Sequence, residues 1–236
     1  MKFFKNYLNY KVSALLKEHN FKSPILEVGC GTGETLELLN KNYKIEGLDF
    51  SEHAIKKCKE KKLNARVGDF FENKKKYNSI ICLDVIEHVK EDSKFIRHIN
   101  KCLNKNGKLF ALVPSGKMMN DDVGYGHYRR YSKEEIIKKI GGANFKIEHA
   151  EMFGYPFLHY LRIAMNYLIS GKEVEKEEKE EKTKKSSYES LFDKSFFSKI
   201  ADFFNNSKIV LKFLLLQDFF INRNKGLAVI VIARKI

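Results

Sequence analysis

Five apolar runs of strand length, ILEV, KIEGL, ARV, SIICL and KLFALV, are spread through the first 150 residues, each followed by a polar stretch of helical periodicity. This alternation predicts a parallel sheet covered by helices on both faces, because a strand apolar along its whole length must be buried on two sides. In such sheets ligands bind beyond the carboxyl ends of the strands, so the loops after these runs are where chemistry is to be sought. NFKIEHAEMF (144–153) and GLAVIVIARK (226–235) read as two further strands, and a chain of 236 residues has length enough for one sizeable core.

About 70 residues separate the last two strands. They begin with the amphipathic GYPFLHYLRIAMNYLIS, pass through GKEVEKEEKEEKTKK and end with a Phe- and Leu-rich segment. The middle piece, 171–185, carries six glutamates and six lysines and no aromatic residue, so it reads as a flexible linker or a solvated helix. The flanking pieces alternate Phe, Leu and Tyr with basic residues at helical intervals. They suit a cap over a pocket, a homodimer interface or an amphipathic contact with a membrane surface.

Four cysteines, at 30, 58, 82 and 102, form no C-x-x-C pair and lack the density of a disulfide framework, which predicts free thiols and a cytoplasmic setting. Lys5, Asn6, Asn9 and Lys11 interrupt the apolar character of the first residues, so no export signal is read there. No window offers the roughly 18 uninterrupted apolar residues of a spanning helix. The net charge of +14 would favour a polyanion or an anionic membrane, but lysine is spread over nearly every segment, which weakens that inference.

The strongest local signal is ILEVGCGTGETLELL, 25–39. A strand ends at Val28, and Gly29, Gly31 and Gly33 then let the backbone turn and approach a ligand before a helix beginning near Thr32 or Gly33. A dinucleotide fingerprint would place its third glycine where this chain has Glu34, and would have no use for Glu27. A carboxylate at that position suits a cationic amino group.

With these residues the chain resembles the class I S-adenosylmethionine-dependent methyltransferases, whose first motif is an acidic residue followed by G-x-G-x-G. The resemblance continues in register through GLDFS, which puts Asp49 and Phe50 at the end of the second strand, and GDFF, which puts Asp69 and Phe70 after the third. It implies that Glu27, Gly29, Cys30, Gly31 and Gly33 line the donor, that Asp49 accepts the ribose hydroxyls, and that Asp69 and the Phe70 amide hold the adenine. Leu83 and Asp84, at the end of the fourth strand, complete the donor set. Plainer roles stand beside these: a turn for Gly31, a helix cap for Asp49 with Ser51, a surface position for Asp69.

The fold so implied is α/β and Rossmann-like: seven strands, mostly parallel, in the order 3-2-1-4-5-7-6, with helices on both faces. Residues 1–153 and 226–236 would form the S-adenosylmethionine-binding domain, and 154–225 a helical insertion between strands 6 and 7.

CLDVIEHV, 82–89, lacks the proline-rich element of amino-directed nucleic-acid methyltransferases and the Pro-Cys nucleophile of cytosine-C5 enzymes, so DNA is not the expected partner. Its D-V-I-E-H form is similar to the small-molecule branch, notably the O-methyltransferases of ubiquinone biosynthesis. Asp84, Glu87 and His88 fall at i, i+3 and i+4 and share a face if the turn is helical. Three readings stay open. His88 acts as general base on a hydroxyl; Glu87, His88 and His127 bind a divalent metal, as a similar set does in small-RNA 2′-O-methyltransferases; or Glu87 and His88 merely bond to neighbouring loops.

GHYRRYS, 126–132, lies in the loop after strand five, before a helix opened by the capping box Ser132-x-x-Glu135. His127 joins His88 there as a catalytic candidate. Tyr128, Arg129 and Arg130 are candidates for holding an anionic substrate, since a guanidinium grips phosphate or carboxylate through two bonds; the alternative is that an arginine ties the loop down. The expected activity is methyl transfer, most readily to oxygen, on a small or lipid-linked molecule. RNA 2′-O-methylation and donor binding without catalysis are its rivals. A lipid-linked substrate would bring the protein to the inner face of the membrane.

Overall fold

The computed structural model describes residues 2–118, 120–156, 159–160 and 225–236. The insertion expected over 154–225 and its charged stretch at 171–185 lie almost wholly outside the described residues, and with them the cap, dimer and membrane readings.

Seven strands form one sheet: β1 (Ile25–Val28), β2 (Ile45–Asp49), β3 (Ala65–Val67), β4 (Tyr77–Leu83), β5 (Leu103–Pro114), β6 (Phe145–Phe153) and β7 (Ala228–Lys235). Their order is β3-β2-β1-β4-β5-β7-β6. The first five pair in parallel, whereas β7 runs antiparallel between β5 and β6. Order, strand count and mixed pairing are those expected from the sequence.

Period-two alternation sends successive side chains to opposite faces. Leu26, Ile80, Cys82, Leu109, Ala111, Val229 and Val231 pack on one side with α4 (Asp92–Cys102) and α6 (Lys133–Gly141), through Phe95, Ile96, Ile99, Ile136 and Ile140. Ile25, Ile81, Phe110, Leu112, Ile230 and Ile232 face the other side. There they meet α1 (Lys2–Glu18), α2 (Glu34–Leu39) and α3 (Glu52–Glu60) through Tyr7, Leu16, Leu36, Leu39 and Ile55. The N-terminal segment is therefore a helix packed on the sheet, its Lys11 buried and paired with Glu151 at 2.9 Å. A short helix, α5 (Asn120–Gly124), follows β5. Among the described residues no helix is long and apolar enough to cross a membrane.

Ser132 opens α6 as the spacing predicts: its hydroxyl accepts from the Glu135 amide at 3.1 Å while the Glu135 carboxylate accepts from the Ser132 amide at 2.7 Å. All four cysteines are free and buried. Burial pushes the Cys30 and Cys82 thiols far up, which leaves them as packing residues with no thiolate to react.

Candidate active site

The carboxyl ends of β1, β2, β4 and β5 converge on one edge of the sheet, and two groups of side chains meet there. The first is built on the glycine loop after β1. Gly29, Gly31 and Gly33 all adopt left-handed backbone, with φ of 70°, 51° and 82°. At Gly31 a Cβ would meet nothing within 4 Å, so its outer side faces open space. At Gly29 a Cβ would come within 2.5 Å of Val85 Cγ2, so the glycine loop is pressed against the turn after β4. Only glycine permits that approach.

Asp49 anchors the loop from β2. Its carboxylate accepts from the Gly31 amide at 2.8 Å and from the Ser51 amide at 2.9 Å. The helix-capping reading is therefore partly right, although the side-chain cap of α3 is supplied by Ser51 through the Ala54 amide at 3.2 Å. Glu27 lies beneath the loop, 3% exposed, with Oε2 buried and without a hydrogen-bond partner. Burial pushes its carboxyl up to about 8; a hydrogen bond with Thr35 opposes the shift, and the charges of Asp49 and Glu34 add to it. A buried carboxylate with a free oxygen is completed by a cationic group, as an amino acid's ammonium would be.

Asp69 is exposed and caps a 3₁₀ turn by accepting from the Phe71 amide at 2.8 Å. Phe70 is a core residue, its ring 5.1 Å from Phe95 and 5.0 Å from His98, so only its backbone is available to a ligand. Phe50 is 59% exposed at the end of β2, a large apolar surface left beside the loop. Leu83 and Asp84 close β4, and Asp84 takes a left-handed φ of 51° with its amide donating to the Leu112 carbonyl at 3.0 Å.

The second group is built on the turn after β4 and the connection between β5 and α6. The helical turn at Ile86–His88 is 3₁₀ and starts after Asp84, so the single helical face expected for Asp84, Glu87 and His88 does not form. Glu87 and His88 do converge with His127: one ligand atom of each lies within 4.8 Å of the other two. The rings of His88 and His127 stand edge to face, with centroids 4.7 Å apart. Glu87 is completely buried, and neither carboxylate oxygen has a hydrogen-bond partner. Burial and then the charge of Asp84 push this carboxyl well above the ordinary range. Burial first, then His127, lowers His88 to about 4, so its ring is neutral at physiological pH.

Asp122 on α5 organises the connection. Completely buried, it pairs with Arg130 at 2.6 Å (Nε to Oδ2) and 3.0 Å (Nη2 to Oδ1), and Oδ1 also lies 3.1 Å from His127 Nδ1. Arg130 donates as well to the Ser115 carbonyl at 2.6 Å. This corrects the expectation for Arg130: its guanidinium is consumed within the protein and holds the connection against β5. Arg129 departs from expectation in the same way, with Nη1 2.8 Å from Asp92 Oδ2 and Nη2 donating to the Lys90 carbonyl at 2.7 Å. Tyr128 remains exposed, and its amide donates to the Glu87 carbonyl at 2.9 Å, tying the connection to the turn after β4. Sequence reading missed Asp122, although its position five residues before His127, across a Gly-x-Gly turn, was the available signal.

A parallel sheet with one antiparallel strand in this order, a glycine loop after β1 and acidic residues at the ends of β1 and β2 define the fold of the class I S-adenosylmethionine-dependent methyltransferases. The chain belongs to the methyltransferase domain family, which matches residues 3–150. It is similar to an uncharacterised protein of Methanocaldococcus jannaschii, 27% identical over 154 residues that cover 64% of this chain and 68% of that one. A ubiquinone biosynthesis O-methyltransferase of Rickettsia akari is 29% identical over 110 residues, 43% of this chain and 44% of the enzyme. The match thus spans less than half the length of that enzyme. Among solved structures, the magnesium protoporphyrin IX methyltransferase of Synechocystis PCC 6803 with bound S-adenosylhomocysteine superposes with a TM-score of 0.53 at 20% identity, covering 64% of this chain and 77% of that one.

Proposed function

We propose that this S-adenosylmethionine-dependent methyltransferase methylates a hydroxyl of a small or lipid-linked molecule. The observation that carries the reading is the convergence of Glu87, His88 and His127 beside the glycine loop, across the Gly29–Val85 contact. A bound sulfonium donor supplies an already activated methyl group, so the protein's tasks are positioning, exclusion of water and removal of the hydroxyl proton.

Glu27 would hold the donor's ammonium through its unpartnered Oε2, and Asp49, already oriented by two backbone amides, would accept the ribose hydroxyls through its remaining lone pairs. Asp69 and the Phe70 amide would meet the adenine, with Phe50 lying over it. His88 and His127 would bind the acceptor hydroxyl. Asp122 orients His127, because an Nδ1–H donated to its carboxylate leaves Nε2 as the free lone pair. Resemblance of the chain to a ubiquinone biosynthesis O-methyltransferase supports oxygen as the acceptor.

The test is incubation of purified protein with methyl-labelled S-adenosylmethionine and extract of its source cells, followed by phase partition and identification of the labelled atom. Label on an oxygen of a non-polymeric product is expected. Label on nitrogen or carbon, or on RNA, would replace the acceptor reading, and tight donor binding with no labelled product across extracts would sink it.

A further inference from the structure

The net charge of +14, dispersed along the sequence, is gathered by the fold. β1 to β6 all start at one edge of the sheet, opposite the edge that carries the glycine loop and the histidines, and β7 ends there. The segments that lead into or begin those six strands are KSP (22–24), NKNYK (40–44), KKLN (61–64), NKKK (73–76), KCLNKNG (101–107) and NFK (144–146). They hold eleven lysines, all exposed, and no Asp or Glu. Lys61 lies 3.0 Å from Glu37 and Lys75 3.4 Å from Glu46; the other nine have no ion-pair partner among the described residues. Like charges crowd the end of β7 as well, where burial and then the charge of Lys76 lower the Lys235 ammonium.

Helix geometry accounts for part of this, since α1, α2, α3, α4 and α6 all end at the same edge and cations suit helix C-termini. Five ends of about half a negative charge each offset only about two or three of the eleven lysines. The surplus needs an anionic partner, and its place opposite the glycine loop sets it apart from the donor and acceptor.

We infer that this edge docks the protein on an anionic lipid surface. Proteins that grip a phosphodiester backbone closely use helix N-termini and arginine forks. Here the helices present their C-termini, and the arginine at this edge, Arg234, is held by Glu148 and Asn106. Single-stranded nucleic acid needs aromatic platforms, whereas Ile236 is the one large apolar side chain exposed at this edge among the described residues. A bilayer asks for neither device: its charge is spread over a plane, and flexible ammoniums within a Debye length of about 8–10 Å suffice. The edge has the breadth for it, because six inter-strand steps of about 4.8 Å make roughly 29 Å. Attachment through lysines alone is electrostatic and reversible, and it leaves the glycine loop, His88 and His127 turned to the aqueous side.

The experiment is sedimentation of the full chain with vesicles of phosphatidylcholine, alone or mixed equally with phosphatidylglycerol. Binding to the mixed vesicles only is expected, lost between about 0.1 and 1 M salt as the Debye length falls from about 10 to about 3 Å. Lys74→Gln, Lys75→Gln and Lys76→Gln together should weaken it about 100-fold, at about fivefold for each lysine near the surface. Lys22→Gln, Lys44→Gln and Lys146→Gln, drawn from other segments, should repeat that loss. Lys90→Gln, Lys94→Gln and Lys117→Gln remove the same charge from the opposite edge, more than a Debye length away, and should change binding less than about threefold. All three triple variants should keep the parent's Tm and S-adenosylhomocysteine affinity. No binding to the mixed vesicles, equal binding to phosphatidylcholine alone, or equal weakening by the variants of the two edges overturns the docking edge. Duplex RNA that strips the protein from mixed vesicles at equal phosphate concentration also overturns it, and assigns the edge to nucleic acid. Methyl transfer is tested separately, by S-adenosylhomocysteine binding to the parent chain.

Discussion

At Gly31 the backbone and the space around it make separate demands. The left-handed φ of 51° costs a substituted residue about 1–2 kcal/mol, while the open side would admit its side chain without collision. Gly31→Arg should therefore fold with a modest loss of stability and lose S-adenosylhomocysteine binding, measured by calorimetry; retained affinity would remove the glycine loop from the donor site. Glu27 makes a pH-dependent prediction. Its carboxyl titrates at about 8 when folded and at about 4.3 when unfolded. Folding therefore favours the protonated form, and the stability associated with this group declines as pH rises from about 4.3 to 8. An ammonium partner requires the carboxylate, so donor affinity should rise over pH 6 to 8 while the stability of the donor-free protein falls. Glu27→Gln should abolish the pH dependence of affinity in calorimetric titrations. Glu27 could be singled out in the sequence because it adjoins the glycine motif along the chain. Its orphaned oxygen could not, since that depends on which groups the folded neighbours place within reach.

The connection from β5 to α6 is held as a unit by two buried carboxylates. Asp122 takes Arg130 and His127, and Asp92 takes Arg129, Lys139 and Tyr131, with distances of 2.8, 3.0 and 2.9 Å to the last three. Arg130→Ala should consequently cost about 3–5 kcal/mol in chemical denaturation, because it leaves Asp122 buried with its main partner gone. A rise in KM alone, with stability intact, would restore Arg130 to the substrate. Strands, the glycine loop and the Ser132 cap were legible because each is written in local sequence: continuous apolar runs, glycines two apart, Ser three before Glu. The arginine contacts were not, because Asp92 lies 37 residues before Arg129 and nothing local links the two positions. Asp122 belongs to a helix of five residues, too short to carry a periodic pattern.

For the whole molecule, donor binding and folding are linked, because the proposed pocket joins residues from β1, β2 and β4 that come together only in the assembled sheet. S-adenosylhomocysteine at 100 times its Kd should add about 2.7 kcal/mol, raising Tm by about 5–10 °C in a chain of this size; no shift in differential scanning fluorimetry would argue against the pocket. The place of β7 has a further consequence, in time. A ribosome makes β5 and β6 well before Ala228–Lys235, yet among the described residues β7 is the one strand that pairs with β6, and β5 keeps one side open until β7 arrives. For that interval the growing chain presents Phe110 and Leu112 along an unpaired edge, the kind of surface that recruits chaperones or sticks to another chain. Release of a chain stopped before Ala228 should therefore yield aggregates in sedimentation, and the half that carries the glycine loop must wait for the late strand before the sheet is closed.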